Sequence, residues 1–323
     1  MANIKTHLNN IKGALYGKDV RNSIHDAIEQ CYTDASINGN ANMEVTQARG
    51  EYETLGKKLD DHASQLAQNT KNINDTMVKT RNIQLNKGFV AHRGLQNKAP
   101  ENTLKAIEQA GLNGFVMCEL DPRITSDGIW VLMHNATIDA TTNGTGVVSN
   151  MTFEELRQYK IDTPGALIDE DETILIPTLE EAVKLSNYYG IGINIDGAKF
   201  TWDYDKAYYV YNLLKQYNML EKSCISLTNA NCRKVFIDNF PNFTICIATT
   251  SSNLDNILNT YKDNNIIIAL ASIDATDEAI KKCNNLGIPV YIWNANTIQD
   301  AYLWLSKGIN FVETDYILPG GKF

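Results

Sequence analysis

Gly88-Phe89-Val90-Ala91-His92-Arg93-Gly94, Pro100-Glu101-Asn102-Thr103, Glu119-Leu120-Asp121 and Val131-Leu132-Met133-His134-Asn135 all lie within residues 88–135, and the reading of this stretch decides the fold. Phe89-Val90-Ala91 is a short apolar run that stops at His92. It reads as a buried strand delivering His92, Arg93 and Gly94 to a strand end. Thr103 to Ala110 reads as a helix capped by Asn102 or Thr103. The next strand, Phe115 to Asp121, carries Glu119 and Asp121 two residues apart and therefore on one face. Two like charges there call for a cation.

Carboxylate oxygens suit a hard ion, Mg²⁺ or Ca²⁺, and a pair without His or Cys in register suits zinc poorly. Thr125-Ser126-Asp127-Gly128 is a tight-turn signal between apolar runs. Ile129 to His134 should therefore fold back and return His134 to the end that holds Glu119. Two imidazoles beside a cation suit phosphodiester cleavage: one His takes a proton from the attacking oxygen and the other gives one to the leaving oxygen. The metal and Arg93 would neutralise the phosphate.

This stretch resembles the glycerophosphodiester phosphodiesterase family, whose signature is His-Arg-Gly, Pro-Glu-Asn-Thr, Glu-x-Asp and a second His. The resemblance covers roughly residues 87–318. It implies a (β/α)₈ TIM-type barrel, His92 and His134 as the acid–base pair, Arg93 on the phosphate, and Glu119 and Asp121 as ligands of one divalent cation, Ca²⁺ or Mg²⁺.

The same resemblance extends along the chain. Asp139-Ala140-Thr141-Thr142-Asn143-Gly144-Thr145-Gly146 resembles the family's Asp-Arg-Thr-Thr-Asn-Gly-x-Gly, and Asp139 is placed to orient His134 as a carboxylate fixing an imidazole tautomer would. Asn135 stands where the family usually has Asp, and Ala140 where it has Arg. Asp196, ending Ile191-Gly192-Ile193-Asn194-Ile195-Asp196, matches the third metal ligand, normally a Glu followed two residues later by Lys. Here Ala198 holds that position and Lys199 follows it. Trp293-Asn294-Ala295-Asn296 resembles Trp-Thr-x-Asn, whose ring walls the glycerol pocket, and Glu313-Thr314-Asp315-Tyr316 resembles the closing Thr-Asp-Tyr-Pro.

Helices are expected at Met151 to Tyr159, capped by Thr152 with Glu155, and at Thr178 to Asn187. Strands near Cys224–Leu227, Phe243–Ala248, Ile266–Ala271, Val290–Asn294 and Asn310–Thr314 alternate with helices, and with those ending at His92, Asp121 and Asp196 they make eight.

The chain's 323 residues, 43% of them hydrophobic, suffice for a large domain plus a smaller segment. A net charge of −9 disfavours nucleic acid. The start does not read as a secretory signal and no run spans a bilayer, so a protein made soluble in a cytoplasm, without membrane insertion, is expected. The six cysteines show no metal spacing and read as reduced core residues.

The first ~85 residues show helical periodicity. Residues 1–44 read as two short amphipathic helices and 45–86 as a coiled-coil stalk, ahead of the barrel at 87–323. Val45, Tyr52, Leu59, Leu66, Ile73 and Thr80 occupy one heptad position and Ala48, Leu55, His62, Asn69, Thr76 and Ile83 the other. The polar seam fits a parallel homotrimer, with a single helix packed on the barrel as the alternative. Residues 2–59 resemble the N-terminal attachment segment of tail-fibre or baseplate proteins from phages of Gram-positive bacteria. Together the resemblances imply a virion tail or baseplate protein that binds other tail proteins through its N-terminus. It would be made in the bacterial host cytoplasm and would act at the host cell surface on cell-wall teichoic acid or another glycerophosphodiester. A teichoic-acid receptor-binding protein without turnover and a cellular phosphodiesterase with an oligomerisation arm remain open as alternatives.

Overall fold

The computed structural model describes residues 24, 26–31, 33, 50, 54, 56–65, 68, 87–162 and 173–320. The chain divides into two units, Met1–Thr76 and Met77–Phe323. In the first, residues 26–31 and 56–65 are helical. The paired amphipathic helices of 1–44 and the heptad seam and self-association of 45–86 otherwise lie outside the described residues.

The second unit is built on a closed barrel of eight parallel strands: β1 (Gly88–Ala91), β2 (Met117–Leu120), β5 (Gly192–Asp196), β6 (Cys224–Ser226), β7 (Thr244–Ala248), β8 (Ile266–Ala271), β9 (Val290–Trp293) and β10 (Phe311–Thr314). They run in the order β1-β10-β9-β8-β7-β6-β5-β2. The strands are buried on both faces, so neighbouring residues serve two different cores. Val90, Met117, Cys224, Cys246, Ile267, Ala269, Tyr291 and Phe311 pack inside the barrel. Cys118, Leu120, Ile193, Ile195, Ile225, Ile245, Ile268, Ile292 and Val312 pack outward against the helices. Because side chains alternate, His92 continues the inward row of Val90, Glu119 and Asp121 that of Met117, and Glu313 and Asp315 that of Phe311. One alternation thus sets both the apolar floor and the polar mouth.

Between β2 and β5 the chain makes the expected hairpin, β3 (Pro122–Ile124) against β4 (Trp130–Leu132), antiparallel, with Arg123 opposite Val131. Gly128 at φ 84° makes the turn, and Met133 N–H donates to the Asp121 carbonyl at 2.8 Å. The return strand therefore ends beside the carboxylates. A separate cluster, Val131, Met133, Ile138, Val148, Leu156, Ile161, Ile174 and Ile176, anchors this excursion.

Helix starts follow their caps. Thr103, rather than Asn102, caps the helix Leu104–Leu112 by accepting Ala106 N–H. Thr178 and Glu181 form a reciprocal capping box on the helix Leu179–Tyr189, which Gly190 ends at φ 72°; such a cap is worth about 1 kcal/mol. Thr152 and Glu155 do the same, but that helix covers only Phe153–Leu156, shorter than the sequence implies. Tyr159 fills the space over Gly144 and Asn143 Oδ1 accepts Lys160 N–H, so the chain is drawn into the loop instead of continuing the helix. Five of the six cysteines are buried and all are free thiols; Cys31, expected in a core, is exposed. Among the described residues no helix is long and apolar enough to cross a membrane.

Candidate active site

His92 follows β1 directly. Its Nδ1 lies 2.6 Å from Asp315 Oδ1, beyond the end of neighbouring β10. A carboxylate only accepts, so Nδ1 donates and Nε2 faces the other way, 3.9 Å from Glu119 Oε2. Asp315 is itself held by Gln96 and Asn296, each donating at 2.6 Å. Burial of His92 would depress its pKa, but the Asp315 hydrogen bond and the Glu313 and Asp315 charges outweigh it and set the pKa above its ordinary value of 6.5. The same hydrogen bond holds the Asp315 carboxyl below its usual range.

Arg93 and Gly94 then take left-handed backbone conformations, φ 57° and 79°. This reversal is costly for a residue with a Cβ and is sustained by what it makes. Arg93 N–H donates to Glu119 Oε2 at 3.1 Å, and the Arg93 carbonyl accepts Asn102 N–H at 2.8 Å. The Arg93 guanidinium reaches both Glu101 oxygens, at 3.1 and 3.0 Å, from one nitrogen. Its Nε is buried without a hydrogen-bond partner, 3.6 Å from Asp121 Oδ2. Asn102, also left-handed at φ 56°, grips Asp121 twice: its amide donates to Oδ2 at 2.8 Å and its oxygen accepts Asp121 N–H at 3.0 Å. The Pro-Glu-Asn-Thr stretch thus divides its work among Arg93, Asp121 and a helix cap.

Glu119, Asp121 and Asp196 converge, one oxygen of each lying within 4.8 Å of the others. Lys199 Nζ bridges Asp121 and Asp196, the latter at 2.6 Å. The one-residue displacement of this lysine therefore does not remove it from the cluster. Burial, together with the Asp121, Glu313 and Asp196 charges, pushes the Glu119 carboxyl well up. For Asp121, burial acts upward too, but the Lys199 charge and hydrogen bond, with Asn102 and His134, bring the balance below the usual range. Glu119 is therefore the carboxyl of the three whose ionised form is least favoured by what surrounds it. The three carboxylate oxygens, with no nitrogen or sulfur among them, fit a hard divalent cation, and one positive charge from Lys199 does not neutralise them.

His134 emerges half-buried at the end of the hairpin, its Nδ1 3.0 Å from Asn135 Oδ1. Here the structure differs from expectation. Asp139 does not orient His134; its Oδ1 accepts Gly146 N–H at 2.9 Å and closes the turn-rich loop. The carboxamide of the adjacent Asn135 takes the place at the imidazole because the chain turns immediately after His134. Trp293 stands partly exposed at the C-terminal end of β9. Two residues earlier, the buried Tyr291 hydroxyl donates to Glu313 at 2.5 Å beneath the carboxylates.

Residues 92–318 match the model of the Glycerophosphoryl diester phosphodiesterase family. The chain belongs to this family. Among curated relatives, glycerophosphodiester phosphodiesterase 1 of Homo sapiens is 50% identical over 94 residues, 29% of this chain. The match spans only 28% of the length of that protein. A glycerophosphodiester phosphodiesterase of Caldanaerobacter subterraneus is 26% identical over 229 residues, 70% of this chain and 93% of that one. The fold is shared with an Oleispira antarctica phosphodiesterase solved in complex with the product sn-glycerol-3-phosphate, at 22% identity and TM-score 0.62 over 72% of this chain and 94% of the other.

Among the residues of the site that the sequence of this family member did not assign are Asp315, Lys199, Glu313 and Arg123. Asp315 and Lys199 sat in quoted motifs, yet His92 is 223 residues from the first and Asp121, one of the two partners of the second, is 78 residues away. Glu313 carried a signal that could have been read, since a carboxylate two residues before Asp315 shares its inward face. Arg123 likewise continues the face of Glu119 and Asp121.

Proposed function

We propose that this chain is a glycerophosphodiester phosphodiesterase in which His92 and His134 move the protons. The observation that carries the reading is the convergence of Glu119, Asp121 and Asp196 beside an imidazole whose Nδ1 is fixed by Asp315. Fixing Nδ1 leaves His92 Nε2 to exchange a proton on the carboxylate side. His134, returned by the hairpin, exchanges the other, so the attacking hydroxyl loses a proton to one ring as the leaving oxygen gains one from the second. Lys199 and Arg93 supply positive charge for the phosphate. A divalent cation held by Glu119, Asp121 and Asp196 would polarise the phosphoryl oxygens. Ca²⁺ and Mg²⁺ are the ions the donor set suits.

We further infer a setting from the N-terminal resemblance: a homotrimeric virion tail or baseplate protein that docks through its N-terminus and acts at the Gram-positive cell surface on glycerol-phosphate teichoic acid. A free 2-hydroxyl on such a polymer would allow intramolecular attack through a cyclic phosphate. The placement of Asn135 rather than a carboxylate at His134 favours a second reading, a teichoic-acid-binding protein without turnover. Incubating the full chain with glycerol-phosphate teichoic acid, with and without chelator, and measuring glycerol phosphate release separates the two. Release that chelator abolishes is expected, and binding without release leaves only the second. Light scattering on the full chain tests the trimer, and a monomer at tens of micromolar rejects it.

A further inference from the structure

We infer that Arg123 is a positioning residue for His134, holding the histidine's backbone at the mouth of the barrel through its carbonyl; this rests on the proposed activity. Glu119, Asp121 and Arg123 stand two residues apart along β2 and β3, so in extended chain they share one face. An arginine there would be expected to pair with the acidic cluster. Instead Arg123 donates from one terminal nitrogen to the His134 carbonyl at 2.6 Å, and among the described residues it makes no ion pair. Its Nε is buried without a hydrogen-bond partner. The guanidinium thus reaches one backbone oxygen while its Nε stays out of water.

That oxygen belongs to the least supported member of the site. His92 has Asp315, Asp121 has Asn102 and Asp196 has Lys199, whereas among the described residues the His134 ring has a hydrogen bond only with its neighbour Asn135. The backbone bonds of the hairpin fall on either side of it: Leu132 N–H to Pro177 and Met133 N–H to Asp121 before, and Val148 N–H to the Ala136 carbonyl after. Arg123 fills the gap between them. Its bond closes a link from the segment that carries Glu119 and Asp121 into β3 to the residue that must face the phosphate from the other side, and a displacement of ~1 Å in such a group can cost about 10²-fold in rate.

The test uses the full-length chain and glycerophosphocholine, a soluble glycerophosphodiester. Arg123→Met keeps the stem and removes the donor; kcat should fall about 10²-fold with KM within roughly threefold, and Arg123→Lys should recover most of the loss. The Arg123→Met/His134→Ala double variant should be no slower than His134→Ala, because a residue that acts through His134 has nothing left to position. A raised KM at unchanged kcat, or losses that multiply in the double variant, would overturn the inference and make Arg123 a phosphate ligand or a general scaffold. Arg123→Gln, a shorter donor, replaces the Met variant in the same cycle if that variant does not fold. Absence of turnover in the wild type defeats the activity instead. The inference then stands or falls on histidine NMR: Arg123→Met should move the His134 ring resonances and leave those of His92, and unmoved His134 resonances overturn it.

Discussion

His92 Nδ1 and Asp315 Oδ1 meet at 2.6 Å although 223 residues separate them. They close the barrel between its first and last strands, and the contact turns a strand-end histidine into an oriented one. Asp315→Ala should lower kcat on a glycerophosphodiester by about 10²-fold or more, within the range a positioned acid–base group supplies. Steady-state kinetics decides it, with thermal melts confirming the fold. A kcat within twofold of wild type would mean that His92 needs no such partner.

Removal of divalent cation by EDTA should abolish turnover and Ca²⁺ or Mg²⁺ should restore it, because buried Glu119 faces two further carboxylates with one ammonium between them. In Glu119→Gln no added ion should restore the wild-type rate. Full activity of the wild type after exhaustive chelation would refute the cation site.

Lys199 occupies two of the three carboxylates that would hold the ion, so it competes with the ion while attracting phosphate. Lys199→Met should therefore bind Ca²⁺ or Mg²⁺ more tightly in calorimetric titration, yet show a higher KM. Weaker ion binding in this variant would show that the ammonium organises the site rather than competing in it.

Glu313 is buried under the cluster, and burial raises its pKa above 4.5 even though His92 and the Tyr291 hydroxyl favour its charge. A carboxyl with a raised folded pKa stabilises the fold less as pH rises from the unfolded value towards the folded one, since folding then binds a proton the solvent no longer supplies readily. Glu313→Gln should accordingly raise the melting temperature of the cation-free protein at pH 7, on the order of 3 °C for about 1 kcal/mol in a domain of this size. The gain should shrink towards pH 4. Melts in EDTA across that range check it, and a gain that grows on acidification contradicts the assignment.

The sequence by itself determined the elements whose meaning is local. Alternation along Phe115 to Asp121 set Glu119 and Asp121 on one face, the Thr125–Gly128 turn sent His134 back towards them, and Thr178 with Glu181 announced a helix start. The first rests on a strand period of two, the second on the residues of a tight turn and the third on a cap reaching three residues, all of them local. Only the tertiary structure decided which partner each polar group would find. Asp139 satisfied its own loop at Gly146 instead of His134, and Lys199, displaced in the motif, still spanned Asp121 and Asp196 because a long flexible stem absorbs a one-residue offset. Asp315, Glu313 and Arg123 acquired their roles through barrel closure and hairpin docking. A strand's alternation says which side a residue faces, but only the closed barrel says what stands opposite.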